Sequence, residues 1–325
     1  MSEELTPVEL PARTIAPPRT VSEAARVALA AGAAAPGFAH PEPGDLAGWR
    51  RAVVESDAFW KPLADGILSG CRCGVETRTL AGVKVYVCTP AEPAPASQRR
   101  VYLYLHGGAF VFGGGRFAMA FGASSADRLG ITTVSVDYRM PPDHPFPAAP
   151  EDCLAVYQAL LEQYSAAHIA VGGSSAGGNI AAAATLMARD RGLPLPAGLV
   201  LLTPEVDLTE SGDSFRTNEL LDTTLKRGLP ECNALYAGGH ALTEPYVSPL
   251  FADFTSGFPP TLIQAGTRDL FLSNAVRMHR ALRRARLESE LHVWEAMPHG
   301  GFGFGPVPEN EEISEEVRHF IERHC

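Results

Sequence analysis

From residue 101 onward the chain alternates short apolar runs with longer amphipathic stretches, and this alternation limits its fold more than any other feature. Candidate strands at 101–105, 132–136, 168–172, 199–203, 261–265 and 290–294 are separated by helical stretches near 118–129, 151–164, 178–184, 274–286 and 311–323. Parallel strands need a crossover rather than a hairpin, and a helix is the usual crossover. The stretch 151–164 shows the helical period directly, with Cys153, Val156, Tyr157, Leu160, Leu161 and Tyr164 on one face and Pro150 at the opening turn. Two antiparallel strands, 76–80 and 84–88, are separated by Ala81-Gly82-Val83 and precede the alternation. The expected fold class is α/β, a mostly parallel, doubly wound sheet of eight strands.

Gly173-Ser174-Ser175-Ala176-Gly177 stands between the strand ending near Gly172 and the small-residue run that begins at Gly178-Asn179-Ile180. Strand, sharp turn and helix are the setting in which G-x-S-x-G holds a serine hydroxyl above a sheet edge. Only one register places glycines two before and two after a serine, and it selects Ser175. Upstream, the strand 101–105 runs into His106-Gly107-Gly108-Ala109-Phe110. Glycines there let backbone N–H groups approach an oxyanion, and each such donor contributes about 3–4 kcal/mol to acyl transfer. Gly107, Gly108 and Ala109, with the N–H of Ala176, are therefore the candidate oxyanion hole.

A serine nucleophile needs a base and an orienting acid, which in this fold follow in the order Ser, Asp/Glu, His. Asp269 lies just past the strand Thr261–Ala265, and His299 follows the strand 290–294 within Met297-Pro298-His299-Gly300-Gly301. Both sit on loops at strand carboxyl ends, where open α/β sheets bind ligands. The candidate catalytic set is Ser175, Asp269 and His299.

These residues carry a resemblance. The chain, over about residues 75–325, resembles the hormone-sensitive-lipase branch of the α/β-hydrolases, bacterial esterases and lipases with an HGG loop. The resemblance rests on His106-Gly107-Gly108-Ala109, on Asp137-Tyr138-Arg139 with Pro142-Asp143-His144-Pro145-Phe146-Pro147-Ala148-Ala149, and on Gly173 to Asn179. Gly266-Thr267-Arg268-Asp269 and Pro298-His299-Gly300 complete it. It implies an α/β-hydrolase fold with a helical cap, Ser175 as nucleophile, Asp269 as acid, His299 as base, and no cofactor. The chain departs from the family at Ser174, where Asp or Thr is usual. Ala109 takes the place of a third glycine, and Glu205 the place of an aromatic. A second Asp a few residues after the acid is missing; Ser273-Asn274 stand there.

The stretches outside the alternation are candidate cap elements. Met1 to Pro18 is a proline-rich arm, and Thr20-Val21-Ser22-Glu23 has capping-box spacing ahead of a first helix. A second helix spans about 46–63 with Trp49, Phe59 and Trp60. The expected division is an arm and cap helices over 1–65, a catalytic domain over 66–325, and a second cap element near 208–245. Phe110, Phe112, Phe271 and Phe302 flank the candidate site residues and are expected to line the substrate pocket. Asp137, Arg139, Asp143 and Asp152 read as an ion network behind the oxyanion loop, with His144 structural.

A net charge of −10 over 325 residues argues against nucleic-acid or anionic-membrane binding. No apolar stretch of about 18 residues signals a membrane span. The start, Met1-Ser2-Glu3-Glu4, lacks a basic n-region, so a cytoplasmic location is expected. The six cysteines have no metal-binding spacing, and no metal site is expected. Expected partners are a small-molecule ester and, left open, a second copy of the chain. The expected activity is serine carboxylesterase chemistry on short-to-medium acyl esters. Lactone, amide or carbamate hydrolysis by the same triad is the alternative. A receptor on this fold that has lost chemistry is a third reading, which the presence of His299 opposes.

Overall fold

In the computed structural model, which describes residues 8–35, 37, 39–93, 99–303 and 305–325, the chain forms eight strands in one sheet. They are β1 (Gly74–Leu80), β2 (Val83–Thr89), β3 (Val101–Leu105), β4 (Thr132–Val136), β5 (Ile169–Ser174), β6 (Gly198–Leu202), β7 (Thr261–Gly266) and β8 (Ser289–Trp294). Their order is β1-β2-β4-β3-β5-β6-β7-β8; β2 pairs antiparallel with both β1 and β4, and the other neighbouring pairs are parallel. The chain passes from β3 to β4 on one side and then returns to place β5 on the other. The carboxyl ends of β3 and β5 therefore flank the point where the winding reverses, the usual crevice for a ligand.

Every residue of β3 is buried, and successive side chains point to opposite faces. Leu103 and Leu105 join a core with α4 (Ala148–Leu161), α5 (Ala176–Asp190) and α8 (Leu272–Arg284). Tyr102 and Tyr104 join a second core on the other face, with Leu129 at the end of α3 (Arg116–Leu129) and Phe320 and Ile321 of α9 (Pro308–His324). Full burial of such side chains stabilises by about 1.5–3 kcal/mol each, against the entropy of ordering them. Cys153 packs on the apolar face of α4 as its helical period implies.

Several boundaries differ from the sequence reading. Helix α1 (Glu23–Ala34) is capped by Ser22, whose Oγ accepts the Ala25 N–H at 3.1 Å. The capping-box pair Thr20 and Glu23 is not used; Glu309 of α9 instead accepts from Ser22 N at 2.6 Å and Oγ at 2.8 Å. Helix α2 (Leu46–Gly70) continues beyond residue 63 and contains Pro62. Pro62 and Ala58 are both exposed, so water can satisfy the carbonyl the proline leaves unpaired. The 208–245 region holds two short helices, α6 (Ser214–Thr217) and α7 (Pro230–Ala237).

Candidate active site

Ser175 occupies the turn between β5 and α5 with φ 57° and ψ −122°, a conformation that costs a non-glycine residue about 1–3 kcal/mol. Fixed hydrogen bonds hold it there. Its N–H donates to Leu202 O at 2.8 Å, and its carbonyl accepts from Gly178 N at 2.9 Å. Gly177 lies so close to the carbonyls of Leu105 and His106 that a Cβ would collide with both. The glycine is thus what lets α5 start against the end of β3.

The imidazole of His299 bridges two side chains from distant parts of the chain. Its Nε2 lies 2.8 Å from Ser175 Oγ, and its Nδ1 lies 3.1 Å from Asp269 Oδ1. Asp269 is fully buried, and the same Oδ1 accepts the Phe271 N–H at 2.9 Å. Ser175, at 8% exposure, and His299, at 6%, are also largely withdrawn from solvent. The three predicted residues are brought together over one sheet edge.

One acidic residue in this cluster escaped the sequence reading. Asp222, in the loop between α6 and α7, is fully buried beside Asp269 and His299. Its oxygens accept N–H groups from Thr224 at 2.9 Å, Leu225 at 3.1 Å, Leu270 at 2.8 Å and His299 at 3.3 Å. Burial, with the adjacent Asp269 charge, pushes its carboxyl up to about 6. From the same loop, Asn218 Nδ2 donates to Asp269 O at 2.8 Å and to Thr267 O at 3.2 Å. Neither residue lies in a periodic segment or a motif, so only their chemical types were visible beforehand.

The glycine loop after β3 turns back on itself. Gly108 has φ +126° and closes the turn by accepting N–H groups from Val111 at 3.0 Å and Phe112 at 2.8 Å. Among the described residues, the N–H groups of Gly108, Ala109 and Ala176 have no acceptor, which leaves them available to a ligand. Behind the loop, His106 is fully buried, stacks on Tyr138 with centroids 4.1 Å apart, and has its Nδ1 2.8 Å from Gly107 O. Burial lowers its pKa to about 4, so the ring is a neutral support. Asp137 accepts the Gly115 N–H at 2.8 Å and the Tyr86 hydroxyl at 2.9 Å. The expected single ion network is instead three separate pairs: Asp137 with Lys84 at 2.5 Å, Asp152 with Arg139 at 2.7 Å, and Asp143, exposed, with Arg50 of α2 at 2.6 Å.

A cavity of about 1230 Å³ opens above Ser175 and His299, with walls from α2, the glycine loop and residues 219–229. Phe112 lines it, beside His40 and Trp49 at ring separations of 6.0 and 6.2 Å. The other three aromatics expected in the pocket are elsewhere. Phe110 is in the core, stacked on Tyr236 at 4.1 Å. Phe271 is buried with its ring edge-on to the His299 imidazole at 4.7 Å, packing against that ring. Phe302 packs under α1 with Leu29 and Met297. Backbone turns explain the difference: Phe110 has φ 66°, which sends its side chain inward. Among the described residues Glu288, Glu290 and His324 also form a cluster of metal-ligand type, but it lies at the amino end of β8, on the opposite rim.

A family model described as α/β hydrolase fold matches residues 102–303. The chain belongs to the α/β-hydrolase fold family. Among relatives of this α/β-hydrolase, an acetyl-hydrolase of Streptomyces hygroscopicus is 35% identical over 246 residues, covering 74% of this chain and 81% of the relative. An esterase of Acinetobacter venetianus is 34% identical over 212 residues, covering 63% and 68%. The crystal structure of an esterase superposes with a TM-score of 0.91 at 34% identity, covering 98% of this chain and 99% of that one. Another, an esterase from the bacterial hormone-sensitive lipase family, gives 0.80 at 30% identity, with coverage of 93% and 98%. These matches agree with the branch that the sequence motifs resemble. No helix among the described residues is long and apolar enough to cross a membrane.

Proposed function

We propose that this α/β-hydrolase is a serine carboxylesterase in which Ser175, His299 and Asp269 form the catalytic triad. The hydrogen-bonded chain from Ser175 Oγ to His299 Nε2, at 2.8 Å, and from Nδ1 to Asp269, at 3.1 Å, carries this reading. His299 takes the hydroxyl proton as Ser175 attacks the ester carbonyl, then delivers it to the departing alkoxide. Asp269 holds the imidazole in the tautomer that leaves Nε2 free to accept, and stabilises the imidazolium. The N–H groups of Gly108, Ala109 and Ala176, with Gly107 alongside, stabilise the oxyanion. Water then repeats the sequence on the acyl-enzyme, returning the acid and free Ser175.

The cavity also bears on substrate size. Its volume of about 1230 Å³ exceeds what a small acyl chain fills, so the alcohol portion has room to be bulky. The acyl portion is a chain of about two to eight carbons against Phe112. Helix α2 and residues 219–229 act as the cap. Ser175→Ala tests the central assignment: the variant keeps its fold and loses turnover of p-nitrophenyl butyrate. Substantial hydrolysis by a folded Ser175→Ala protein would refute it. A panel of acyl chains and of lactones then measures the substrate range.

A further inference from the structure

We infer that Asp222 is a positioning residue for the triad, a second carboxylate that locks the acid-bearing and base-bearing loops to each other. The inference rests on the triad assignment above. Asp222 enters from the cap segment between α6 and α7, far in sequence from either loop. A purely local role would need only the N–H groups of Thr224 and Leu225, which make a turn around an Asx side chain. Two further bonds have no such explanation. Oδ2 accepts from Leu270, the residue that follows Asp269, at 2.8 Å. Both oxygens lie 3.3 Å from the backbone N of His299. One carboxylate thus spans the acid's neighbour and the base itself.

The electrostatic setting agrees. A fully buried carboxylate with no Lys or Arg partner is costly, and among the described residues Asp222 has none. The titratable groups facing it are Asp269 and His299; its other partners are backbone N–H groups. An ionised Asp222 accepts all four N–H groups. A protonated one must turn an O–H toward one of them and release the loops. It therefore acts through Asp269 and His299 without touching substrate.

Asp222→Asn tests the inference, since the amide keeps the shape but faces N–H groups with an NH₂. Displacing the loops by about 1 Å lowers kcat about 10²-fold, with KM for p-nitrophenyl butyrate changed less than about threefold. The pH profile separates this from general destabilisation. As pH falls through about 6, native kcat drops by a further factor of about 10² as Asp222 takes a proton. Asp222→Asn is neutral at every pH and lacks that additional step. A kcat within about threefold of native in the folded variant overturns the inference, as does the same acid-side profile in variant and native. If the variant fails to fold, the native profile decides: an acid limb described by a single proton refutes the role. The triad reading fails separately, through absence of turnover by the native protein or retention of it in Ser175→Ala.

Discussion

Gly177→Ala sets two effects of opposite sign against each other. Alanine inside a helix is favoured over glycine by about 0.5–1 kcal/mol, so propensity alone predicts a more stable protein. The site predicts the reverse. A Cβ at position 177 would lie 2.5 Å from the His106 carbonyl oxygen and closer still to that of Leu105, both backbone atoms. Ordinary contact begins near 3.4 Å, so α5 must retreat from β3 by about 1 Å. Overpacking of this kind costs about 1–3 kcal/mol, which outweighs the propensity gain. The retreat carries Ser175 away from the glycine loop, and a misplacement of about 1 Å costs about 10²-fold in rate, close to 2.7 kcal/mol in the barrier. Calorimetric melting and the kcat for p-nitrophenyl butyrate measure both. A melting temperature equal to or above native, with kcat within about threefold, would refute the close-approach argument.

Two further substitutions probe buried carboxyl groups. Asp269→Asn offers His299 an amide that can present the wrong group to Nδ1, and kcat falls on the order of 10⁴-fold, as when the acid is removed in other triads; a loss of only a few-fold would assign the acid elsewhere. Glu205→Gln concerns stability. Burial first, and then the Glu210 charge, hold the Glu205 carboxyl well above its ordinary value, so the folded protein carries it neutral. Its contribution is fully present below the unfolded pKa and is lost as pH rises toward the raised folded value. Glutamine needs no proton, so the variant has a higher urea midpoint than native at pH 8 and nearly the same one at pH 4. Equal midpoints at pH 8 would show that Glu205 is not held neutral.

The alternation after residue 101 is legible because each strand and helix is set by local periodicity, and its six strands, like the two that precede it, lie close to the predicted spans. Ser175, Asp269 and His299 were legible because the strand–turn–helix context and chain order constrain them. What lay beyond the sequence was set by contacts between distant segments. Asp222 becomes informative only when the loops bearing Leu270 and His299 fold against it. Phe110 and Phe302 are aromatic neighbours of the site in sequence, but their side chains follow backbone turns into separate cores. Ser22 takes the cap that spacing assigned to Thr20 because Glu309, from the other end of the chain, grips it.

The loop that carries Asp222 also supplies Thr224, Leu225 and Lys226 to the cavity wall. Altering that wall therefore also disturbs the carboxylate that accepts the Leu270 and His299 N–H groups. Substitutions there shift the loops that carry Asp269 and His299, whereas changes on the opposite wall, along α2, leave that anchorage alone. The two sides of one cleft thus differ in how freely they can diverge.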